Sequence, residues 1–376
     1  MTPFLSAAPR VRLVNAFARP FDGVVAAART CYSPKGIVTP EDVGADAVAD
    51  PAERTRRLAR RDALARDVYL AGHHTTFQHA HVQFTLENVS RQLVWSFLHA
   101  HPHYNSEQTS QRYVEVRPGT FAVPPLAGEA LEVYREACER QTDAYRRLGD
   151  LLLPVAARAF YATFRGRESQ PARWEKAIRK RALEVARYVL PLATFTTLYH
   201  TVSAVTLFRY RRLAATFDAP TEQRIVVEAM SDALLAHDPS YATVLEEPIP
   251  LEATPEFAVA ERLFGGPRPE RPGDASFRER FDASLGGRIS RLVDRKMRNE
   301  ELLAEAVREV VGISAEALPD DEAIALAIDP AKNPLLGEAL NLTDHGKLAR
   351  ALHHPAYTFR KKLSHTADSQ DQRHRT

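Results

Sequence analysis

Cysteine is almost missing from this chain. Its 376 residues hold only Cys31 and Cys138, too few for a disulfide framework, so a reducing compartment is expected. An excess of one charge is missing as well: 50 Lys and Arg stand against 48 Asp and Glu, a formal net charge of +2. That balance gives no overall field to attract nucleic acid, and the basic tail with Lys361, Lys362, Arg373 and Arg375 is short. Long apolar runs are absent. No stretch approaches the roughly 18 apolar residues of a membrane span, and Arg10 and Arg12 interrupt the opening MTPFLSAAPRVRLVNAF before a signal-peptide core can form. A cytoplasmic, soluble protein with neither membrane nor nucleic-acid partners is the expectation.

What is present is ordinary globular material, 44% hydrophobic and 26% charged, long enough for two or three domains. Residues 10–30 and 55–71 read as helices, the second with Leu58, Leu64, Val68 and Leu70 forming an apolar stripe. HAHVQFTLENV (79–89) alternates and reads as a strand, after which Ser90 caps a short helix to about Leu98. RYVEV (112–116) reads as another strand. Helices follow over 129–148 and 174–189, strand-like residues over 194–204, and helices over 205–216 and 220–236. Such a mixture points to an α+β fold in which a mixed or antiparallel sheet packs with long helices. The Pro- and Gly-rich stretch 246–276 reads as a linker between a domain over 1–245 and a region over 277–376, with helices at 276–285, 288–310 and 320–329.

The residues richest in chemistry are VSRQLVWSFLHAHPHYNSEQTSQRY (89–113): a histidine cluster, then hydroxyls and amides, then Arg112-Tyr113. Arginine forks beside hydroxyl donors suit phosphate. One alternative is a metal site at His99, His101 and His103 with His73, His74, His79 and His81 nearby, but no Cys or carboxylate pattern completes a four-ligand set, and no metal is expected. The stretch also recurs. Setting Ser364-His365 on Ser90-Arg91 brings His353 onto His79 and Arg373-His374-Arg375 onto His99-Ala100-His101, which reads as a duplication whose second copy breaks off at Thr376.

Five pieces in order resemble the flavin-dependent thymidylate synthases over nearly all of residues 10–235: AARTCYS (27–33), GHHTTFQHAHVQF (72–84), the 89–113 stretch, VARYVLPLATFTTLYHTVSA (185–204) and APTEQR (219–224). The resemblance implies reductive methylation of dUMP to dTMP, with FAD as cofactor and NADPH and methylenetetrahydrofolate as co-substrates, in a homodimer or homotetramer with sites at domain interfaces. The flavin would carry the hard chemistry and the protein would bind and orient. Carried over residue by residue, Ser110 and Arg112 take the catalytic positions, Ser110, Gln111, Arg112 and Arg187 bind dUMP, and His73, His99, His101, Glu107, Gln108, Arg373, His374 and Arg375 meet FAD. Ser90-Arg91 has no implied role beyond a helix cap.

The chain also departs from the family pattern. His99-Ala100-His101 stands where Arg-His-Arg belongs, replacing charged forks with imidazoles that are mostly neutral at pH 7. Cys31 replaces a serine, Ser203 an asparagine, and Val205 and Ala214 arginines, although Arg212 is close. The second copy carries a literal Arg373-His374-Arg375, so a hybrid site is the expectation: Ser110 and Arg112 from the first copy, the triplet from the second. The alternative is a catalytically inactive paralogue that binds a nucleotide or serves a structural role.

Overall fold

Arg10-Val11-Arg12-Leu13 alternates charged with apolar side chains, which is the period of a strand. The helix expected over 10–30 therefore divides into strand β1 (Arg10–Ala16) and helix α1 (Pro20–Thr30). Pro20 opens α1 because a first helical position needs no N–H. The computed structural model of the protein describes residues 3–100, 104–215, 219–266, 274–340 and 342–371, with the side chains of 98–100, 104 and 344 outside that description.

From α1 the chain runs through α2 (Pro40–Val43), α3 (Pro51–Leu70), a 3-10 turn (Thr76–His79), β2 (His81–Ser90), α4 (Arg91–Ala100) and β3 (Tyr104–Gln108). Two long helices, α5 (Gly128–Thr163) and α6 (Pro171–Ala186), pack together before β4 (Phe195–Ser203), α7 (Ala204–Leu213), α8 (Thr221–His237) and α9 (Pro255–Phe264). The four strands form one antiparallel sheet in the order β1-β2-β4-β3. This is the α+β arrangement that the mixed patterning predicts. Val82, Phe84 and Leu86 of β2 are fully buried with Phe21, Leu93, Phe97, Leu207 and Met230 in the main core. Where α5 meets α6, a Cβ on Gly149 would lie 2.7 Å from Leu183 Cδ2, so a larger residue there would push the leucine side chain aside.

Two features of β2 place the site. Asn88 takes a positive φ of 55°, which a short polar side chain tolerates, and the pairing with β4 shifts between Leu86 and Val89. Val89 and Ser90 then pair with Thr196 and Phe195, which sets the start of α4 against the end of β4.

Three expectations need correction. RYVEV is not a strand: Tyr113 N and Val114 N both donate to Ser110 O, at 3.1 and 3.0 Å, and the resulting turn overrides the β propensity of the sequence. The strand lies earlier, at β3. Residues 251–264 inside the expected linker form a 3-10 turn and α9, where Thr254 Oγ1 accepts from Phe257 N and Gly265 closes the helix in the left-handed region. Its proline and glycine punctuate a helix. The helix expected over 288–310 begins as strand β5 (Ser290–Arg295) and becomes α11 (Asn299–Val311).

The chain divides into two compact units, residues 1–268 and 269–376. The second contains α10 (Ala275–Leu285), β5, α11, α12 (Asp320–Ile328), β6 (Tyr357–Lys361) and α13 (His365–Asp371), around a small core of Leu303, Ala304, Val307, Ala323 and Ala327. Its β5 pairs antiparallel with β6, setting Leu292 opposite Phe359 and breaking register between Leu292 and Asp294. In the first unit Leu13 lies opposite Phe84 and the register breaks between Leu13 and Asn15. Arg-Leu-Val occupies both places, at 12–14 and 291–293. Among the described residues no helix is long and apolar enough to cross a membrane.

Candidate functional site

The turn after β3 is held from three sides. Thr109 N donates to Thr197 O at 2.9 Å, and the two threonine hydroxyls lie 2.8 Å apart. Ser110 Oγ accepts from Arg112 N at 3.2 Å. From the first turn of α4, Arg91 spreads its fork, Nη1 donating to Gln108 Oε1 and Nη2 to Thr109 O, both at 2.5 Å. Arg91 is therefore more than a cap residue: it ties the end of β3 to the start of α4. Beside this turn a groove of about 270 Å³ is lined by Asn88, Arg91, Gln111, Arg117 and Thr197.

Arg112 leaves the turn toward the C-terminal end of α6. Its Nε lies 2.5 Å from Glu184 Oε1, an ion contact with no aligned hydrogen bond at that nitrogen. Glu184 Oε2 meets Arg181 Nη1 at 3.0 Å. One helical turn on, Arg187 is only 7% exposed, and its Nε donates to Glu184 O at 3.0 Å. Burial lowers the pKa of Arg187; Glu184 opposes that shift and the neighbouring Arg112 adds to it. Glu184 thus gathers Arg112 and Arg187 from two parts of the chain, its carboxylate meeting Arg112 and Arg181 and its backbone carbonyl accepting from Arg187, with Ser110 and Gln111 in the adjoining turn. Chemically this is a pair of cationic forks beside hydroxyl and amide donors, suited to a phosphate.

The residues expected to meet FAD are more scattered. His73 is exposed in the turn after α3, and Glu107 is exposed on β3 opposite Tyr199. Gln108 commits its Oε1 to Arg91. No hydrogen bond, ion pair or ring contact joins His73 or Glu107 to the arginine cluster among the described residues. His99 ends α4, but its side chain lies outside the described residues, as do His101, Arg373, His374 and Arg375 entirely. Of the other histidines, His74 stacks on Tyr69 at 4.9 Å, and His79 lines a separate cavity with Phe17, Arg19 and Glu41.

The positions that depart from the family pattern have structural work. Val205 and Ala214 are buried in the main core. Ser203 caps α7, accepting from Thr206 N, and donates to Gln78 Oε1 at 2.5 Å. Arg212 pairs with Glu246. Ser90 does cap α4, its Oγ accepting from Leu93 N at 3.1 Å, but Ser90 Oγ and N also donate to the two carboxylate oxygens of Glu222. Burial raises the Glu222 pKa and the two Ser90 donors oppose the shift. A raised folded-state value favours the protonated form, so this group stabilises the fold fully below the unfolded value of 4.5 and loses that contribution as pH rises through the folded value. Against Glu222→Gln, which stays neutral, the wild type therefore loses stability as pH rises from below 4.5 through the folded value. Thermal melts of both proteins across that range give the difference.

Sequence reasoning passed over Glu184 and the fork of Arg91. Glu184 had one usable signal: it precedes Arg187 by three residues on a helix, a spacing that puts both on one face.

Comparison with known proteins gives this α+β unit a family. The profile of the Thy1 family, thymidylate synthase complementing protein, matches residues 12–240, and the chain belongs to that family. It is similar to the flavin-dependent thymidylate synthase of Clostridium tetani, 26% identical over 206 residues, 54% of this chain and 73% of the relative. It is similar to that of Mycolicibacterium vanbaalenii, 32% identical over 143 residues, 37% of this chain and about half, 52%, of the relative. Among solved structures, the UMP/dUMP methylase PolB of Streptomyces cacaoi bound with 5-Br dUMP is 20% identical at a TM-score of 0.42, covering 63% of this chain and 96% of PolB.

Proposed function

We propose that this protein is a flavin-dependent thymidylate synthase that reductively methylates dUMP to dTMP with methylenetetrahydrofolate, FAD and NADPH. The observation that carries the reading is the convergence of Ser110, Arg112 and Arg187 within the family-matched stretch. Arg112 and Arg187 hold the 5′-phosphate, Ser110 and Gln111 add hydroxyl and amide donors, and Arg91 keeps the turn in place. Bound reduced flavin would supply the hydride. His73, Glu107 and Gln108 offer polar groups on the first unit to hold it, Gln108 through its Nε2 because Arg91 occupies its Oε1.

The second unit is, in this reading, a copy of the first. Each unit sets a leucine opposite a phenylalanine in an antiparallel pair whose register breaks beside the leucine, and each carries Arg-Leu-Val, which supports the reading. Arg373-His374-Arg375 would then supply the flavin-side cations in a cytoplasmic homodimer or homotetramer. A specific observation favours a second reading: Val205 and Ala214 are core residues that cannot replace the family's arginines, which suits a nucleotide-binding paralogue without activity. Titration with dUMP, flavin absorbance of the full chain, and complementation of a thymidine-requiring strain decide between them. The synthase binds dUMP and flavin and complements; the inactive paralogue binds dUMP alone; a chain that binds neither refutes both.

A further inference from the structure

Arginines gathered in one neighbourhood repel one another unless an anion sits among them, and here the protein supplies its own. Glu184 lies 2.5 Å from Arg112 and 3.0 Å from Arg181, and its backbone oxygen takes the Nε of the buried Arg187. Its side chain is 24% exposed, so the carboxylate sits at the mouth of the cluster within reach of solvent. The Arg112 contact is close but not aligned as a hydrogen bond, whereas a phosphate oxygen is free to approach a guanidinium along its N–H bonds.

We infer that Glu184 is a built-in competitor for the nucleotide phosphate, so that the site admits a phosphomonoester dianion and rejects weaker anions. The inference rests on the phosphate-binding role proposed above for Arg112 and Arg187. A monoanionic carboxylate held at one end of a helix neutralises Arg112 while the site is free. An incoming ligand must replace that contact, and it gains only if it brings more charge and better-directed acceptors than a carboxylate. A phosphate near neutral pH carries about −1.5 to −2 and three acceptor oxygens, which meets the condition. Chloride, a free carboxylate or an unphosphorylated nucleoside does not. Arg181, mostly exposed, gives the displaced carboxylate an alternative partner, so displacement does not strand a charge.

The test is Glu184→Gln in the full chain, titrated with dUMP, inorganic phosphate and deoxyuridine. The expected result is about three- to ten-fold tighter binding of dUMP and of phosphate, with deoxyuridine unchanged, since removing one competing ion contact of this exposure is a modest effect. Glu184→Asp keeps the charge but withdraws it by one methylene, and it shifts dUMP affinity the same way by less; it serves if the glutamine variant does not fold. Unchanged or weaker dUMP binding in the folded variants overturns the inference. An equal gain for deoxyuridine also overturns it, because the effect would then not concern the phosphate. Arg112→Ala measured alongside separates the two levels. If that variant binds dUMP as the wild type does, the phosphate site itself is wrongly placed; if it loses dUMP while Glu184→Gln gains nothing, only the competitor is refuted.

Discussion

Arg61→Met lowers the unfolding free energy of the first unit by about 3–5 kcal/mol, the cost typical of leaving one member of a buried ion pair alone. Arg61 on α3 has a side chain only 10% exposed, and that of Asp22 on α1 is 7% exposed. Nη1 donates to Asp22 Oδ1 at 2.8 Å, Nη2 to Ser240 Oγ at 2.9 Å and Nε to Asp62 Oδ1 at 2.8 Å, while the guanidinium lies 5.1 Å from the centre of the Phe21 ring. One side chain therefore joins α1, α3 and the 3-10 turn at 239–244. Gly44 leaves room for the carboxylate, since a Cβ there would lie 2.6 Å from Asp22 Oδ2. Urea denaturation measures the loss, and adding Asp22→Asn to Arg61→Met should cost less than the two single changes summed. A loss under about 1 kcal/mol would show the pair to be solvated and marginal.

That ion pair illustrates what could be read in the sequence. Alternation in VQFTL showed β2 correctly because Val82, Phe84 and Leu86 face the core and the pattern is local. The α+β class followed from the same periodicities. β1 was hidden because Arg10–Ala16 runs into the alanine-rich α1, and a helical window spanning both averages the two periods. Ser110 and Arg112 stood out in the sequence by their order among other motifs. Their contacts were not, because Arg112 meets Glu184, and Arg91 meets Gln108, through chain reversals that no local spacing encodes. The strand expected at 112–116 failed for a similar reason: Ser110 gathers the backbone N–H groups that a ladder would need. Likewise Val205 and Ala214 looked like lost ligand positions and prove to be core side chains, so their substitution is tied to packing as well as to chemistry.

Arg112→Ala weakens dUMP binding by roughly 10- to 150-fold, since a hydrogen bond to a charged group contributes about 1.5–3 kcal/mol and each 1.4 kcal/mol is a factor of ten. Deoxyuridine binding changes little, because the arginine addresses the phosphate. Arg112→Lys falls between: the charge remains, but a point ammonium cannot present two parallel donors to one phosphate. Titration calorimetry with the two ligands gives both numbers. Stability is a useful control here. Arg112 is 37% exposed and its ion pair with Glu184 is partly screened, so the alanine variant melts close to the wild type and a lost affinity cannot be blamed on unfolding. The same control fails at Arg187, whose guanidinium is buried and bonded to the carbonyl of Glu184; truncating it disturbs packing as well as any contact with the ligand. Arg112 is therefore the position at which binding and folding separate, and an unchanged dUMP affinity there would remove the phosphate site from this part of the fold.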